Sequence, residues 1–155
     1  MSLAVVRVRG SLRVKPAIKE TLNLLKLNRV NHCVVIPETP EYSGMLQKVK
    51  DYVTWGEVDR ETLAELIRQR GRIEGDNPVT DEFIKSRSSF KDADELAGAV
   101  IESGFKYKDL QGAKPVFRLS PPNKGGYEGI KRHFTVGGAL GYRGKEINGL
   151  LKRMI

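Results

Sequence analysis

The sequence is poor in the residues and patterns on which many enzymes and exported proteins depend. Its 155 residues include one cysteine and two histidines, so it can form no intramolecular disulfide and has no cysteine cluster of zinc-binding spacing. It contains no run of eighteen apolar residues, and its first cations follow the short N-terminal apolar run, the reverse of the order in a signal peptide. We therefore predict a cytoplasmic protein with no membrane partner.

Motifs for phosphate binding and nucleophilic catalysis are also missing. A phosphate-binding loop needs Ser or Thr after its Gly-Lys pair, whereas Gly144 and Lys145 are followed by Glu146. His32 and Cys33 are adjacent in a predicted strand, where neighbouring side chains point to opposite faces and so cannot form a nucleophile–base pair. We predict that the protein is not an enzyme and needs no cofactor, metal or small-molecule substrate.

The net charge of +8 is distributed unevenly along the chain. Residues 1–50 include nine basic and three acidic residues, residues 51–103 include seven basic and thirteen acidic ones, and residues 104–145 include nine basic and two acidic ones. Two basic blocks around an acidic middle predict a polarised surface, one side of which attracts a polyanion. The acidic middle is expected to face solvent or a neighbouring protein.

Residues 104–145, which we call the arm, combine cations with glycines and aromatic rings. The arm holds nine of the sixteen glycines, together with Tyr127, His133, Phe134 and Tyr142. Lys and Arg neutralise phosphates, aromatic rings stack on unpaired bases, and glycine lets a backbone approach a polyanion closely. We predict that the arm binds nucleic acid and that it is mobile until it binds. A solvated loop without a ligand is the alternative that composition leaves open.

Apolar periodicity in residues 1–58 predicts three strands joined by two helices. The strands are expected at 3–9, 31–36 and 52–58, and the helices at 16–28 and from Thr39 onward. Right-handed crossovers would place both helices on one face of a three-stranded sheet and leave the other face free. Trp55 on the third strand is then either a core residue or, on the free face, a stacking platform for a base.

The rest of the chain is predicted to add helices and the arm. Asp59 caps a helix that stops at Gly71, Thr80 starts a short helix, and residues 92–103 form another. Within the arm, 116–119 and 133–136 are expected to pair as a ribbon, and a last helix packs back on the core. The predicted fold class is α+β, divided into a core, a helical extension, the arm and a C-terminal helix at 1–58, 59–103, 104–145 and 146–155.

Charge and position select the residues expected to contact nucleic acid. Arg7 and Arg9 would face the ligand from the first strand, although a solvated sheet edge explains them equally well. The aromatic candidates either stack on bases or anchor the arm to its own scaffold. The predicted contacts are Arg7, Arg9, Arg13, Lys15, Arg118, Lys124, Tyr127, Lys131, Arg132, His133, Phe134, Tyr142, Arg143 and Lys145.

Several stretches carry a resemblance that covers most of the chain. They are LAVVRVRG at 3–10, RVNHCVVI at 29–36, GMLQKVKDYVTWGE at 44–57, FRLSPP at 117–122 and INGLLKRM at 147–154. These segments resemble the L-thirty family of large-subunit ribosomal proteins. The sequence lacks the long basic N-terminal tail of the eukaryotic form, so the resemblance is to the archaeal form.

The resemblance implies a fold and a function. It implies a ferredoxin-like core over about residues 3–58, binding to large-subunit rRNA, contacts with neighbouring ribosomal proteins, and neither catalysis nor a cofactor. Two other functions remain open on the residues alone. One is an RNA- or DNA-binding factor that acts away from the ribosome. The other is a small enzyme acting on phosphorylated metabolites, which would need a pocket with convergent polar groups.

Overall fold

The computed structural model of the chain describes residues 2–10, 12–110, 112–123, 126–127 and 130–155. Its strands are β1 (Ser2–Arg7), β2 (His32–Pro37), β3 (Val53–Glu57), β4 (Val116–Arg118) and β5 (Gly141–Tyr142). Its α-helices are α1 (Pro16–Leu24), α2 (Pro40–Lys48), α3 (Arg60–Arg70), α4 (Asp81–Arg87), α5 (Ala93–Glu102) and α6 (Ile147–Met154). Short 3₁₀ turns occupy Tyr107–Asp109, Phe134–Val136 and Gly144–Glu146.

One five-stranded sheet, in the order β4-β2-β1-β3-β5, organises this mixed α/β fold. β1 is antiparallel to both β2 and β3, β4 is antiparallel to β2, and β5 is parallel to β3. Since β1 and β2 are antiparallel, α1 is not a parallel crossover, and the prediction of two right-handed crossovers is wrong for this connection. The predicted three-stranded sheet is too small because the arm supplies β4 and β5.

Helices cover both faces of the sheet, which contradicts the prediction of a free face. Leu3 and Val5 of β1 pack with Trp55 in a cluster that includes apolar residues of α1 and α2. Ala4 and Val6 point the other way, into a cluster with α3, α5 and α6. Alternate residues of β1 therefore face two separate cores, and the strand is buried along its whole length. Trp55, which is 6% exposed, is a core residue rather than an open stacking platform.

Side-chain caps begin four of the helices. Thr39, Asp59, Thr80 and Asp92 accept hydrogen bonds from the backbone N–H groups of Tyr42, Thr62, Phe83 and Glu95. These bonds satisfy donors that have no partner in the first turn, and they confirm the predicted helix starts. α1 instead ends at Leu24, earlier than predicted. Lys26 takes a left-handed φ of 65°, and the N–H of Leu27 donates to the carbonyl of Leu22 at 2.9 Å, a closure that stops the helix.

The arm is built into the sheet at two places. Its residues 116–118 form β4 beside β2, and its residues 141–142 form β5 beside β3. The predicted ribbon of 116–119 with 133–136 is therefore wrong, because 116–118 pairs with β2 in the core sheet. Residues 134–136 form a 3₁₀ turn instead of a strand.

A tight turn within the arm explains one of its glycines. The carbonyl of Arg132 accepts hydrogen bonds from the N–H groups of Ala139 and Leu140, both at 3.0 Å. A Cβ atom on Gly138 would lie 2.1 Å from that carbonyl oxygen, closer than any side chain can approach. Here glycine allows the chain to approach its own backbone, whereas the sequence had suggested approach to a polyanion.

Candidate nucleic-acid interface

Two of the arm's predicted contact residues lie on opposite edges of the sheet. Arg118 lies on β4 at one edge, and Tyr142 lies on β5 at the other. Four inter-strand steps of about 4.8 Å place these edges roughly 19 Å apart. His133, Phe134 and Arg143 accompany Tyr142, so the structure groups most of the arm's candidates at the β5 edge and separates Arg118 from them.

Cations at the β4 edge are paired with an acid from the chain itself. Asp76, in the loop between α3 and α4, accepts hydrogen bonds from Arg118 and from Lys114 Nζ, the latter at 2.6 Å. These bonds lower the pKa of Asp76, first through Lys114 and then through Arg118. Arg70 Nη2 donates to Ser120 Oγ at 2.6 Å in the same region. Asp76 therefore neutralises one of the three positive charges at this edge.

Arg7 is buried and bonded within the protein, which favours a structural role over its predicted role as a ligand contact. Its side chain is 2% exposed, and its guanidinium donates to the carbonyls of Arg9 at 2.9 Å and Leu27 at 2.8 Å. Burial also lowers the pKa of Arg7. The guanidinium joins the end of β1 to the segment that follows α1. It has no exposed face that a phosphate could contact.

Arg143 is buried in the same manner, and its burial favours a structural role over the predicted contact with nucleic acid. It is 8% exposed and donates through Nε to Thr54 Oγ1 and through Nη2 to the carbonyl of Ala139, both at 2.8 Å. Its guanidinium lies 4.8 Å from the centre of the Phe134 ring. Phe134 therefore anchors the arm by packing on this cation, which was one of its two predicted roles.

Tyr127 also serves as an anchor. Its hydroxyl donates to Asn31 Oδ1 at 2.5 Å and approaches Met154 Sδ at 3.8 Å. Burial raises the pKa of Tyr127, and its ring packs against the apolar cores on β1 and around Leu140. The half-buried ring is committed to the protein and is not a free stacking surface.

A cavity of about 290 Å³ opens at the β5 edge. The buried side chains of Trp55 and Leu140 form its floor. Its rim carries polar, cationic and aromatic groups, which we call the β5-edge surface: Gln47, Lys50, His133, Thr135 and Tyr142. Sequence reasoning missed Gln47 and Lys50, because their nearness to the arm depends on how α2 packs beside β3.

Tyr142 is the exposed aromatic residue of the β5-edge surface. Half of the residue (51%) is exposed, and its ring centre lies 6.5 Å from that of Trp55. The hydroxyl donates to Glu57 Oε1 at 2.5 Å, a bond that raises the pKa of Tyr142. This hydrogen bond holds the ring in place while leaving one face open to a stacking partner.

His133, which belongs to the β5-edge surface, and Arg9 both contact Asp51. His133 Nε2 lies 3.3 Å from Asp51 Oδ1, and Arg9 Nη1 donates to the Asp51 carbonyl at 3.4 Å. The Arg9 guanidinium also lies 5.3 Å from the centre of the Tyr52 ring. Arg9 is half-buried, so packing on Tyr52 positions its charge at the end of the sheet where β1 finishes.

The remaining predicted cations are exposed. Arg13 and Lys15 follow the same end of β1, and Lys131 and Arg132 precede His133. Lys145 is exposed on the turn before α6, farther along β3 from His133. Lys124 lies outside the described residues.

Two residues that could suggest a catalytic site, Cys33 and His32, are buried or half-buried. Cys33 is fully buried, and burial raises its pKa to about 12, so it is not a nucleophile. Burial, followed by the charge of Arg118, lowers the pKa of His32. Within the described ranges, no group of His, Cys, Asp and Glu side chains could hold a metal ion, and no helix is long and apolar enough to span a bilayer.

Comparisons with known proteins find relatives along almost the whole chain. A family model described as Ribosomal protein L30p/L7e matches residues 3–53. The large ribosomal subunit protein uL30 of Methanoculleus marisnigri is 52% identical over 151 residues, covering 97% of this chain and 98% of that protein. Its counterpart from Archaeoglobus fulgidus is 53% identical over 151 residues, again covering 97% of this chain and 98% of that protein. The counterpart from Methanococcus maripaludis is 51% identical over 157 residues and covers 100% of both chains.

The fold, the cationic surface and these relatives together define a structural protein of the large-ribosomal-subunit class. The chain belongs to the uL30 family, in its archaeal form. This confirms the resemblance seen in the sequence. The family is structural and not enzymatic, so the alternative of a small enzyme acting on phosphorylated metabolites is wrong.

Proposed function

We propose that this protein is a structural constituent of the large ribosomal subunit that binds rRNA mainly through the β5-edge surface. The cavity bounded by Lys50, His133 and Tyr142 carries the proposal, because it joins an exposed aromatic ring to a lysine and an imidazole at one concave site, with further cations nearby. Stacking on the ring suits an unpaired base, and the cations suit the phosphates on either side of it. As a member of its family, the protein works in the cytoplasm on the ribosome.

Exposed cations around this cavity would extend the contact. Lys131 and Arg132 stand at the base of the tight turn that Gly138 permits, and Arg9, Arg13 and Lys15 lie at the end of β1. Such residues position a protein on RNA through phosphate contacts, whereas the aromatic site selects an unstacked nucleotide. Lys145 and Lys124 remain predicted contacts on the basis of charge alone.

The finer description of the fold is part of the same proposal. We infer that residues 1–58 are a ferredoxin-like core, supported by the antiparallel placement of β1 between β2 and β3. Residues 59–103 form the extension that covers its second face, 104–145 the rRNA-binding arm, and 146–155 the helix that closes the molecule. The acidic residues of the extension would face solvent or a neighbouring ribosomal protein.

Ultraviolet crosslinking of intact large subunits, followed by mass spectrometry of the protein, tests the proposal. We expect nucleotide adducts on peptides that contain His133 or Tyr142, and none on Lys114 or Arg118 at the β4 edge. Adducts confined to the β4 edge would overturn the assignment of the interface. Loss of the protein from subunits after a moderate-salt wash would instead favour a factor that acts away from the ribosome.

A further inference from the structure

We propose that the Asp51 carboxylate holds the place of an RNA phosphate beside His133, and that the phosphate displaces it when rRNA binds. The inference rests on the proposed function, because it adds a phosphate subsite to the stacking ring of Tyr142. Arg9, Lys50 and His133 form this subsite. The bound nucleotide would then have one orientation, with its base on the ring and its phosphate at the Asp51 end of the β5-edge surface.

Donor groups from three parts of the chain lie around Asp51. His133 Nε2, from the arm, lies 3.3 Å from Asp51 Oδ1. Arg9 Nη1, just past the end of β1, lies 3.4 Å from the Asp51 carbonyl oxygen. Lys50 precedes Asp51 and lines the same cavity as His133. Two cations outnumber the acid, and a carboxylate and a phosphate both present anionic oxygens to such donors, so the carboxylate marks a position that suits a phosphate.

Asp51 is held loosely compared with Asp76 at the other edge of the sheet. The side chains of Asp51 and His133 are 62% and 43% exposed. Within the part of the chain that the structure describes, this imidazole is the one side chain that contacts the Asp51 carboxylate, whereas Asp76 bonds to both Lys114 and Arg118. Exposed contacts of this kind contribute little to stability, because water screens them. A phosphate can therefore replace the carboxylate without disturbing the fold.

Other acids direct the phosphate to this end of the site. The Tyr142 hydroxyl donates to Glu57 Oε1, and this bond raises the pKa of Tyr142, with a smaller contribution from the charge of Glu38. Two acids near the hydroxyl end of the ring would repel a phosphate there. A Cβ atom on Gly141 would lie 2.8 Å from His133 Nδ1, so the imidazole packs against the residue before Tyr142. A base stacked on Tyr142 thus has its favourable phosphate position toward His133.

Neutralising Asp51 tests the competition. In filter binding of the full chain to large-subunit rRNA, we expect Asp51→Asn to strengthen binding about fivefold, because the RNA no longer displaces a like charge. Glu41→Gln is the matched control. It removes an exposed acid at the opposite end of α2 from Lys50 and should change the affinity less than about twofold. Unchanged or weaker binding by Asp51→Asn would overturn the proposal, because Asp51 would then position His133 instead of competing for it.

The variant His133→Ala separates local competition from a general effect of charge. In that background, Asp51→Asn should strengthen binding no more than Glu41→Gln does, because the imidazole for which carboxylate and phosphate compete is gone. A gain of the same size with and without the imidazole would overturn the proposal. The rRNA contact itself is tested separately, by the crosslinks expected at Tyr142.

Small ligands distinguish the phosphate from the base. Adenosine monophosphate, titrated into the full chain, should shift the ring-proton NMR signals of both His133 and Tyr142, whereas adenosine should shift those of Tyr142 alone. A monophosphate that shifts Tyr142 but not His133 would overturn the phosphate subsite and leave the stacking site intact. If neither ligand shifted Tyr142, the result would contradict the stacking site and the subsite together.

Discussion

The two edges of the sheet differ in how the protein treats its own cations. At the β4 edge, Lys114 and Arg118 both bond to Asp76, which the loop after α3 brings to them. At the β5 edge, Lys131 and Arg132 are exposed and form no ion pair within the described residues. Both pairs belong to one basic stretch of sequence. The comparison teaches that charge along a chain becomes charge available to a ligand only where folding leaves it unpaired.

The largest expected effect is on the free energy of unfolding, and it distinguishes a buried cation from an exposed one. Arg143→Ala leaves the Ala139 carbonyl without its donor and removes the cation from the Phe134 ring, so we expect a loss of about 2–4 kcal/mol in the free energy of unfolding. Arg132→Ala should change it by less than about 0.5 kcal/mol. Urea denaturation measures both. If Arg143→Ala were as stable as Arg132→Ala yet bound rRNA poorly, Arg143 would belong to the interface after all.

The turn that presents Lys131 and Arg132 can be broken at its glycine. Gly138→Ala places a methyl group against the Arg132 carbonyl, and we expect it to cost about 1–3 kcal/mol of stability. The matched control is Gly149→Ala on α6, where nothing lies within 4 Å of the added Cβ and helix propensity should raise stability by about 0.5–1 kcal/mol. Thermal unfolding of both variants compares them. Equal melting temperatures would show that the turn adapts.

Stacking at the β5-edge surface is tested at Tyr142. Tyr142→Ala should weaken rRNA binding by about 1–3 kcal/mol, the usual contribution of one stacked base. Tyr142→Phe keeps the ring and loses only the hydrogen bond to Glu57, so its affinity should remain close to that of the parent. Filter binding to large-subunit rRNA gives both values. A Phe variant as weak as the Ala variant would mean that the hydroxyl, not the ring, makes the contact.

Salt dependence compares the two edges directly. If Lys131 and Arg132 each touch a phosphate, replacing both by Ala should reduce the slope of log affinity against log salt by about 1.8. The same double change at Lys114 and Arg118 should alter the slope less, because Asp76 already neutralises one of those two charges and both residues lie at the other edge of the sheet. An unchanged slope for the first pair would remove it from the interface.

The smallest effect concerns the pairing at the β4 edge itself. The pKa of Asp76 is lowered in the folded protein, so its stabilising contribution is present above its unfolded pKa of about 3.9 and is lost as the pH falls through the folded value. Asp76→Asn should remove this part of the acid sensitivity and lower stability slightly at neutral pH. Urea midpoints of the two proteins, measured from neutral to acidic pH, should converge at the acid end. A constant difference would contradict the linkage.

Sequence patterns predicted local structure well and predicted the sheet only in part. Caps such as Thr39 and Asp59 act within one helical turn, so a few neighbouring residues suffice to place them. The end of α1 at Leu24 was missed because Lys26, the left-handed residue that follows the helix, carries no sequence signal comparable to glycine. The pairing of β4 with β2 was missed because the partners lie far apart in the sequence, and a short strand of three residues does not indicate which edge it will join.

The candidate site, like the sheet, was predicted only in part from the sequence. Composition predicted the arm as the binding element, and Arg7, Arg143 and Tyr127 were predicted as contacts from charge and residue type, but all three bond to the protein itself in the folded chain. Lys50 joined the surface from outside the arm. No local pattern distinguishes a cation that bonds to buried carbonyls from one that remains in water.

The sequence by itself determined the family, the helix starts, the apolar alternation of β1 and the excess of positive charge, since each of these is recorded in the order of neighbouring residues. Only the tertiary structure decided that both faces of the sheet are covered, that the arm supplies both sheet edges, and which cations remain exposed. These depend on contacts between residues distant in the chain, where burial and pairing are set by what packs alongside.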